Sequence, residues 1–207
     1  MTVLTTLRRF SRDERGGTAA EYALLVPVIL LIFFTIFDVG AYGFAINLGE
    51  KSTQMGARMA VVSDSVDSAM KDYEFVGQTV GGVTYTQGDR IQASALGVET
   101  CTSSGCTCAP ACPWTPSHDA NAFNRILARV QRIYPAAQAA NLVVEYRGSG
   151  LGYAGDPAGM DIAPITTVKL QNMTYSPMAL SVFRSAVRLP SFAYSLTAED
   201  ASGTVSF

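Results

Sequence analysis

The sequence predicts an α+β protein in which a long N-terminal transmembrane helix leads to a small antiparallel-sheet head. Three observations predict this fold class. An apolar run opens at Ala23, a helical repeat of apolar residues occupies about 119–134, and short alternating segments follow that helix. A head of this kind carries one amphipathic helix and a disulfide-stapled loop around the cysteines. The order, with helices first and paired strands afterwards, is typical of α+β domains.

The apolar run continues to Ile46 with one charged residue, Asp38. A bilayer core needs about 20 residues of helix, so we expect a transmembrane segment at about 23–46. Asp38 lies about 25 Å beyond Glu21 along a helix axis, which places it near the outer interface. Helical spacing of apolar residues extends the predicted helix over 17–63. The alternative is a buried core helix of a soluble protein.

Four arginines lie within residues 1–16, and the rest of the chain is net acidic. Positive residues favour the cytoplasmic side of a membrane. The expected topology is a single pass through the membrane, with a cytoplasmic leader at 1–16 and an exported head at 64–207. An acidic head offers no basic patch, so nucleic-acid binding is not expected.

The four cysteines, Cys101, Cys106, Cys108 and Cys112, fall within twelve residues. In an oxidising compartment such a cluster predicts two disulfides. Pairing Cys106 with Cys108 would close a very small ring. Two arrangements stay open, namely 101–106 with 108–112 and 101–108 with 106–112. A four-cysteine zinc site is the alternative, but its usual CxxC spacing is missing.

The head contains one clear amphipathic helix at about 119–134, which Asp119 can cap and Pro135 can end. Its apolar residues share one face, and its arginines lie mostly off that face. The segment 177–187 is ambiguous between a helix and a loop. Strands are expected at Tyr73–Val76, Val83–Thr86, Ile91–Ala93, Leu142–Tyr146, Ile165–Leu170 (with a possible extension to Tyr175) and Phe192–Leu196.

Enzyme motifs are missing from the sequence, and we expect neither an enzyme nor a cofactor. The one histidine, His118, is interpreted as a surface residue of a turn. The run 150–155 fits GxGxxG, but a dinucleotide site needs a helix after it, and Asp156-Pro157 follows instead. A calcium site at Asp156 and Asp161 has little support. We interpret Trp114 as a packing residue rather than part of a binding face.

Gly16 and Gly17 precede the apolar run, whereas an ordinary secretory signal is cut after its apolar stretch. Cleavage between Gly16 and Gly17 would keep the helix as the new N-terminus. Glu21 would then be the fifth residue, and it could neutralise the amine of a neighbouring subunit within a filament. The simpler interpretation is that Glu21 favours the dipole of the first helical turn.

The segment Arg15 to Tyr22 resembles the G/xxxxEY processing motif of Flp-type prepilins and TadE-like pseudopilins. Further similarity lies in Leu25-Val26-Pro27, Asp38-Val39-Gly40 and Gly56-Ala57-Arg58. The resemblance is good over 12–60 and general beyond it. Flp pilins themselves are far shorter, so a major pilin is not expected.

The resemblance implies a minor pilin or pseudopilin of a Tad (tight adherence) pilus or secretion system. A prepilin peptidase would cut between Gly16 and Gly17. Other pilin subunits, the inner-membrane assembly platform and the bilayer would be its partners. Glu21 and small residues would set subunit packing, and Pro27 is expected to kink the helix. The competing hypothesis is a single-pass anchored domain that binds a ligand and never enters a filament.

Overall fold

The computed structural model describes residues 17–157, 159–178 and 186–198. The chain divides into two compact units. The helix unit comprises residues up to 43 together with 176–187, and the head unit comprises 44–175 and the residues from 188 onward. The predicted α+β class is confirmed: a long apolar helix, antiparallel sheets, a further helix and two disulfides are all present.

The helices are α1 (Gly17–Val62), α2 (Ser68–Lys71) and α3 (Ala120–Gln131), and 3-10 turns lie at Ala93–Ala95 and Ala139–Asn141. The strands are β1 (Thr79–Val80), β2 (Val83–Thr84), β3 (Val98–Thr102), β4 (Gly105–Ala109), β5 (Leu142–Arg147), β6 (Ile165–Leu170), β7 (Thr174–Tyr175), β8 (Val187–Arg188) and β9 (Phe192–Thr197).

The main sheet of the head unit has five antiparallel strands in the order β4-β3-β5-β6-β9. Because side chains alternate along a strand, one face of β5 and β6 is apolar and buried. The inward residues of these two strands include Leu142, Val144, Tyr146, Val168 and Leu170. The other face carries polar groups, among them Glu145 and Lys169, which form an ion pair.

The part of α1 that belongs to the head unit packs on this apolar face through small residues. A Cβ on Gly56 would lie 2.7 Å from Cγ2 of Val130 on α3 and 3.1 Å from Cγ1 of Val168 on β6. Gly49 touches the ring of Phe192 on β9 in the same way. Small residues at these positions therefore bring α1, α3 and the sheet into one core.

Helix α3 forms where its periodicity predicts, with slightly tighter bounds. Asp119 is the N-cap, and its carboxylate accepts hydrogen bonds from the N–H groups of Asn121 and Ala122. These bonds satisfy donors that have no partner inside the helix. Phe123, Ile126 and Val130 are buried on one face.

Two expected strands of the head are wrong, and the cysteine segment differs from expectation. Tyr73–Val76 is not a strand, because Phe75 donates its N–H to the carboxylate of Asp161 at 2.7 Å instead of to a neighbouring strand. Ile91–Ala93 runs into a 3-10 turn. The cysteine segment, which we expected to be a loop, forms the β3–β4 hairpin with Cys101 directly opposite Cys106.

Candidate functional site: the exposed apolar helix

The N-terminal part of α1 is apolar and exposed on every side. Each described side chain from Ala19 to Phe37 is exposed, including Leu24 at 77% and Phe33 at 62%. At 1.5 Å per residue these positions span about 28 Å, close to the thickness of a bilayer core. Among the described residues, this is the one helix long and apolar enough to cross a membrane. So large an exposed apolar surface needs a lipid or protein neighbour.

Glu21 and Tyr22 lie near the beginning of the described helix. Both side chains are exposed, and a Cβ on Gly17 would meet open space. Gly16, the other half of the expected cleavage site, lies outside the described residues. The first turn of α1 as described holds no acidic residue, since Glu21 is the fifth residue from Gly17. A carboxylate in this position needs a partner if the helix enters lipid.

Pro27 lies inside α1, and the helix runs without a break from Gly17 to Val62. A proline inside a helix cannot donate to the carbonyl four residues earlier. A kink at Pro27 stays a prediction.

Asp38 is buried, unlike the residues on either side of it. Its side chain is 7% exposed, and Oδ1 accepts a hydrogen bond from the N–H of Met178 at 2.7 Å. Both residues belong to the helix unit. A buried carboxylate is costly without such donors, so this bond explains how one acid is accommodated beside a long apolar run.

The side chains of α1 change from exposed to buried soon after Asp38. Ala45, Gly49, Ser52 and Thr53 are buried within the head unit. The hydroxyls of Ser52 and Thr53 donate to carbonyls of the helix itself, at Gly49 and Glu50. These polar residues can therefore pack without an outside partner. The exposed segment 19–37 and the packed segment 45–62 are thus two chemically different parts of one helix.

The cysteines form two disulfides, Cys101–Cys106 and Cys108–Cys112, which is one of the two pairings that the sequence left open. Cys101 and Cys106 join neighbouring strands of the hairpin, and Cys108–Cys112 ties β4 to the segment after it. Each of the four sulfurs is therefore bonded to one partner sulfur, and the described residues include no free cysteine. The pairing favours the disulfide interpretation over the zinc alternative.

A cluster of buried polar groups lies beneath the hairpin, and sequence reasoning missed it. Asp67 is fully buried, and its carboxylate accepts hydrogen bonds from Nε1 of Trp114 at 2.7 Å and from the N–H groups of Ser117 and Ala69. The hydroxyl of Tyr146 accepts from the N–H of Val66 at 2.9 Å. These bonds anchor the segment between α1 and α2 to the sheet and to the segment after the hairpin.

Glu99 belongs to the same cluster, directly opposite Tyr146 in the sheet. It is fully buried, and within the described structure neither carboxyl oxygen has a hydrogen-bond partner. Burial, and then the neighbouring Asp67, raise the pKa of Glu99 to about 9. Burial also raises the pKa of Tyr146. Glu99 is therefore a neutral acid at pH 7.

The remaining candidates from the sequence have structural explanations. Gly150, Gly152 and Gly155 all have positive φ and shape a loop rather than the start of a helix. Asp161 accepts hydrogen bonds from the N–H groups of Phe75, Gly155 and Asp156, so its carboxylate is occupied by the backbone. Trp114 packs against Tyr73 with ring centroids 5.2 Å apart.

His118 is half-buried in an isolated bridge with Asp67, and its ring lies 5.8 Å from that of Phe123. It therefore lies between the segment that caps α3 and the turn that contains Asp67. The geometry is that of a packing residue at a junction between elements.

The exposed apolar segment of α1 has the length and composition of a membrane-anchoring helix. Residues 16–58 match the family model described as TadE-like protein, which confirms the predicted resemblance over that segment. The match spans the exposed part of α1 and most of the part that packs on the head. Comparison with curated proteins and with solved structures finds no match.

Proposed function

We propose that this protein is a minor pilin or pseudopilin of a Tad-type pilus or secretion system. The observation that carries the proposal is the exposed apolar segment of α1 within the TadE-like match. Its role is structural rather than enzymatic. The segment anchors the chain in the inner membrane and supplies the surface by which subunits and the assembly platform bind.

The leader 1–16 is removed between Gly16 and Gly17 by a prepilin peptidase, and the new amine lies four residues before Glu21 on the helix. Glu21 of one subunit pairs with the Gly17 amine of its neighbour. An exposed glutamate beside apolar helix surface suits this pairing, because ion pairs strengthen when water and lipid headgroups are displaced. The pair sets the axial position of one subunit against the next.

Asp38 has a different role from Glu21 in this proposal. Its carboxylate is satisfied by Met178 within the same unit, so it is not offered to a neighbouring subunit. It marks the outer end of the lipid-exposed segment. The head then lies on the periplasmic side, where the two disulfides are stable.

The first experiment determines the N-terminus of the protein isolated from its native membrane, by intact mass and N-terminal sequencing. We expect a chain that begins at Gly17, and a full-length chain when Gly16 is substituted. A wild-type chain that retains residues 1–16 would contradict the proposal. It would favour a permanently anchored binding domain instead.

A second experiment tests Glu21 with a matched control on the same helix. Glu21→Ala should leave cleavage intact and abolish cross-linking between neighbouring subunits in the membrane. Glu50→Ala should leave cross-linking unchanged, because Glu50 is an exposed glutamate of the head unit. Equal cross-linking in the two variants would rule out the ionic role of Glu21.

A further inference from the structure

We infer that Glu99, Cys101 and Cys106 form a thiol–disulfide exchange site, in which Glu99 passes a proton to and from the sulfur of Cys101. The partner is an external dithiol, such as the active site of a dithiol oxidoreductase. The inference goes beyond the proposed membrane role, because it concerns the head alone.

The geometry brings an acid and a disulfide together inside the head. A carboxyl oxygen of Glu99 and the sulfurs of Cys101 and Cys106 all lie within 4.8 Å of one another. Glu99 and Cys101 are two residues apart on β3, so both side chains point to the same buried face. Neither carboxyl oxygen of Glu99 has a hydrogen-bond partner within the described structure. An acid buried with only the carboxylate of Asp67 as a neighbour that could accept its hydrogen bond is costly and calls for an explanation.

The two cysteines differ in burial, and this difference favours attack at Cys106. Cys101 is fully buried, whereas Cys106 on β4 is half-buried. An external thiolate can therefore reach Cys106 more readily than Cys101. Attack at Cys106 makes Cys101 the leaving group. The buried sulfur of Cys101 would then carry the negative charge of a thiolate. A buried thiolate is unfavourable unless a proton or a cation neutralises it.

The exchange balances with one dithiol as the reductant. Its thiolate attacks Sγ of Cys106, the sulfur–sulfur bond breaks, and the electron pair stays on Sγ of Cys101, which takes the proton of the Glu99 carboxyl group. The second thiolate of the reductant then attacks the mixed disulfide and releases Cys106, which takes a proton from water. The reductant leaves as its own disulfide, and Glu99 regains a proton from solvent. In the oxidising direction Glu99 first releases its proton to solvent, and its carboxylate then accepts the proton of Cys101 as the sulfur–sulfur bond forms.

The charged and titratable groups that face Glu99 fit this role. Asp67, from the turn before α2, accepts three hydrogen bonds, and its carboxylate is the charged neighbour of Glu99. Tyr146, opposite on β5, uses its hydroxyl oxygen to accept from Val66. Raised by burial and by Asp67, the pKa of Glu99 lies near that of an ordinary thiol.

The test measures the reduction of each disulfide separately in the full chain in detergent. Dithiothreitol is the probe, and alkylation followed by peptide mass spectrometry gives the two rates. We expect Glu99→Gln to slow the reduction of Cys101–Cys106 by about tenfold or more at pH 7, while Cys108–Cys112 is reduced at the wild-type rate. Glu145→Gln is the matched control, because Glu145 lies on the opposite face of the neighbouring strand β5.

The pH profile separates proton transfer from a structural effect. In the wild type, the reduction rate of Cys101–Cys106 divided by that of Cys108–Cys112 should fall as pH rises through about 9, where Glu99 loses its proton. In Glu99→Gln the ratio should be low and independent of pH. If the variant slows both disulfides in parallel, reduction proceeds through unfolding and the inference fails. An unchanged ratio, or faster reduction of Cys101–Cys106, would also overturn it.

Discussion

Gly56 of α1 and Val130 of α3 touch so closely that a Cβ on Gly56 would lie 2.7 Å from Cγ2 of Val130. Val168 of β6 closes the other side at 3.1 Å. Both valines are fully buried, so they have little room to move. The absence of a side chain at Gly56 is therefore what lets the helix, α3 and the sheet meet.

Gly56→Leu should lower the free energy of unfolding of the head by about 3 kcal/mol, because it overpacks a close contact. Urea unfolding in detergent, followed by the fluorescence of Trp114, measures the change. Gly40→Leu is the control on the same helix, since a Cβ there meets open space. That variant should stay within about 0.5 kcal/mol of the wild type. Equal losses in both variants would refute the packing argument.

Glu99 should make the head less stable as pH rises from about 4.5 to 9. Its pKa is about 9 in the folded protein against 4.5 ordinarily, so in this window the folded state holds a proton that the unfolded state has released. Stability is full below the ordinary pKa and is lost as pH rises, by at most about 1.4 kcal/mol per pH unit. Urea unfolding at pH 5, 6.5 and 8 measures this slope.

Glu99→Gln should remove that dependence, because an amide of the same shape has no proton to lose. The variant should therefore gain stability over the wild type at pH 8 and approach it at pH 5. Glu145→Gln controls for the loss of a charge elsewhere in the sheet and should keep the wild-type slope. A slope that persists in Glu99→Gln would show that another group carries the pH dependence.

Asp67 should contribute strongly to stability through the three hydrogen bonds it accepts. Asp67→Ala leaves the N–H groups of Ser117 and Ala69 and the indole N–H of Trp114 without this acceptor, and each buried loss costs about 1–3 kcal/mol. We expect the head to lose about 3 kcal/mol or more. Thermal unfolding monitored by circular dichroism gives the change.

The control for Asp67 is another capping aspartate of the head. Asp119→Ala removes the two backbone hydrogen bonds at the start of α3 and should cost only about 1 kcal/mol, as is usual for an N-cap. The environment of Trp114 should also change in Asp67→Ala alone, as a shift in its fluorescence maximum. If Asp67→Ala lowered the stability of the head no more than Asp119→Ala does, the hydrogen bonds to Asp67 would not be what holds this segment to the rest of the head.

The elements that the sequence predicted well are those governed by local patterns. Helix α1 follows from an apolar run, and α3 follows from its apolar repeat and the cap at Asp119. Strands β5, β6 and β9 have the β-branched and aromatic composition that favours sheets. In each of these cases the residues that decide the structure lie within one turn or one strand of each other.

The parts that escaped prediction depend on contacts between distant residues. The hairpin β3–β4 is rich in Thr, Gly and Cys. Its register is known only from the structure, in which Cys101 lies opposite Cys106. Asp67 and Trp114 are 47 positions apart, and Asp38 and Met178 are 140 apart. No periodicity in the sequence joins such pairs. The exchange site also needed the fold, because only burial distinguishes Glu99 from a surface glutamate.

The bond between Asp38 and Met178 should protect one backbone amide from exchange with solvent. Oδ1 of Asp38 accepts from the Met178 N–H at 2.7 Å, and a hydrogen bond to a charged group contributes about 1.5–3 kcal/mol. Asp38→Ala should therefore speed hydrogen exchange at Met178 by about tenfold or more, whereas Asp38→Asn keeps an acceptor and should speed it less.

The amide of Leu189, which donates to the carbonyl of Met173 at 2.9 Å, is the internal control and should exchange at the wild-type rate in both variants. Equal exchange at Met178 in the wild type and Asp38→Ala would mean that the bond does not hold this segment in solution, and Asp38 would then need another explanation for its burial.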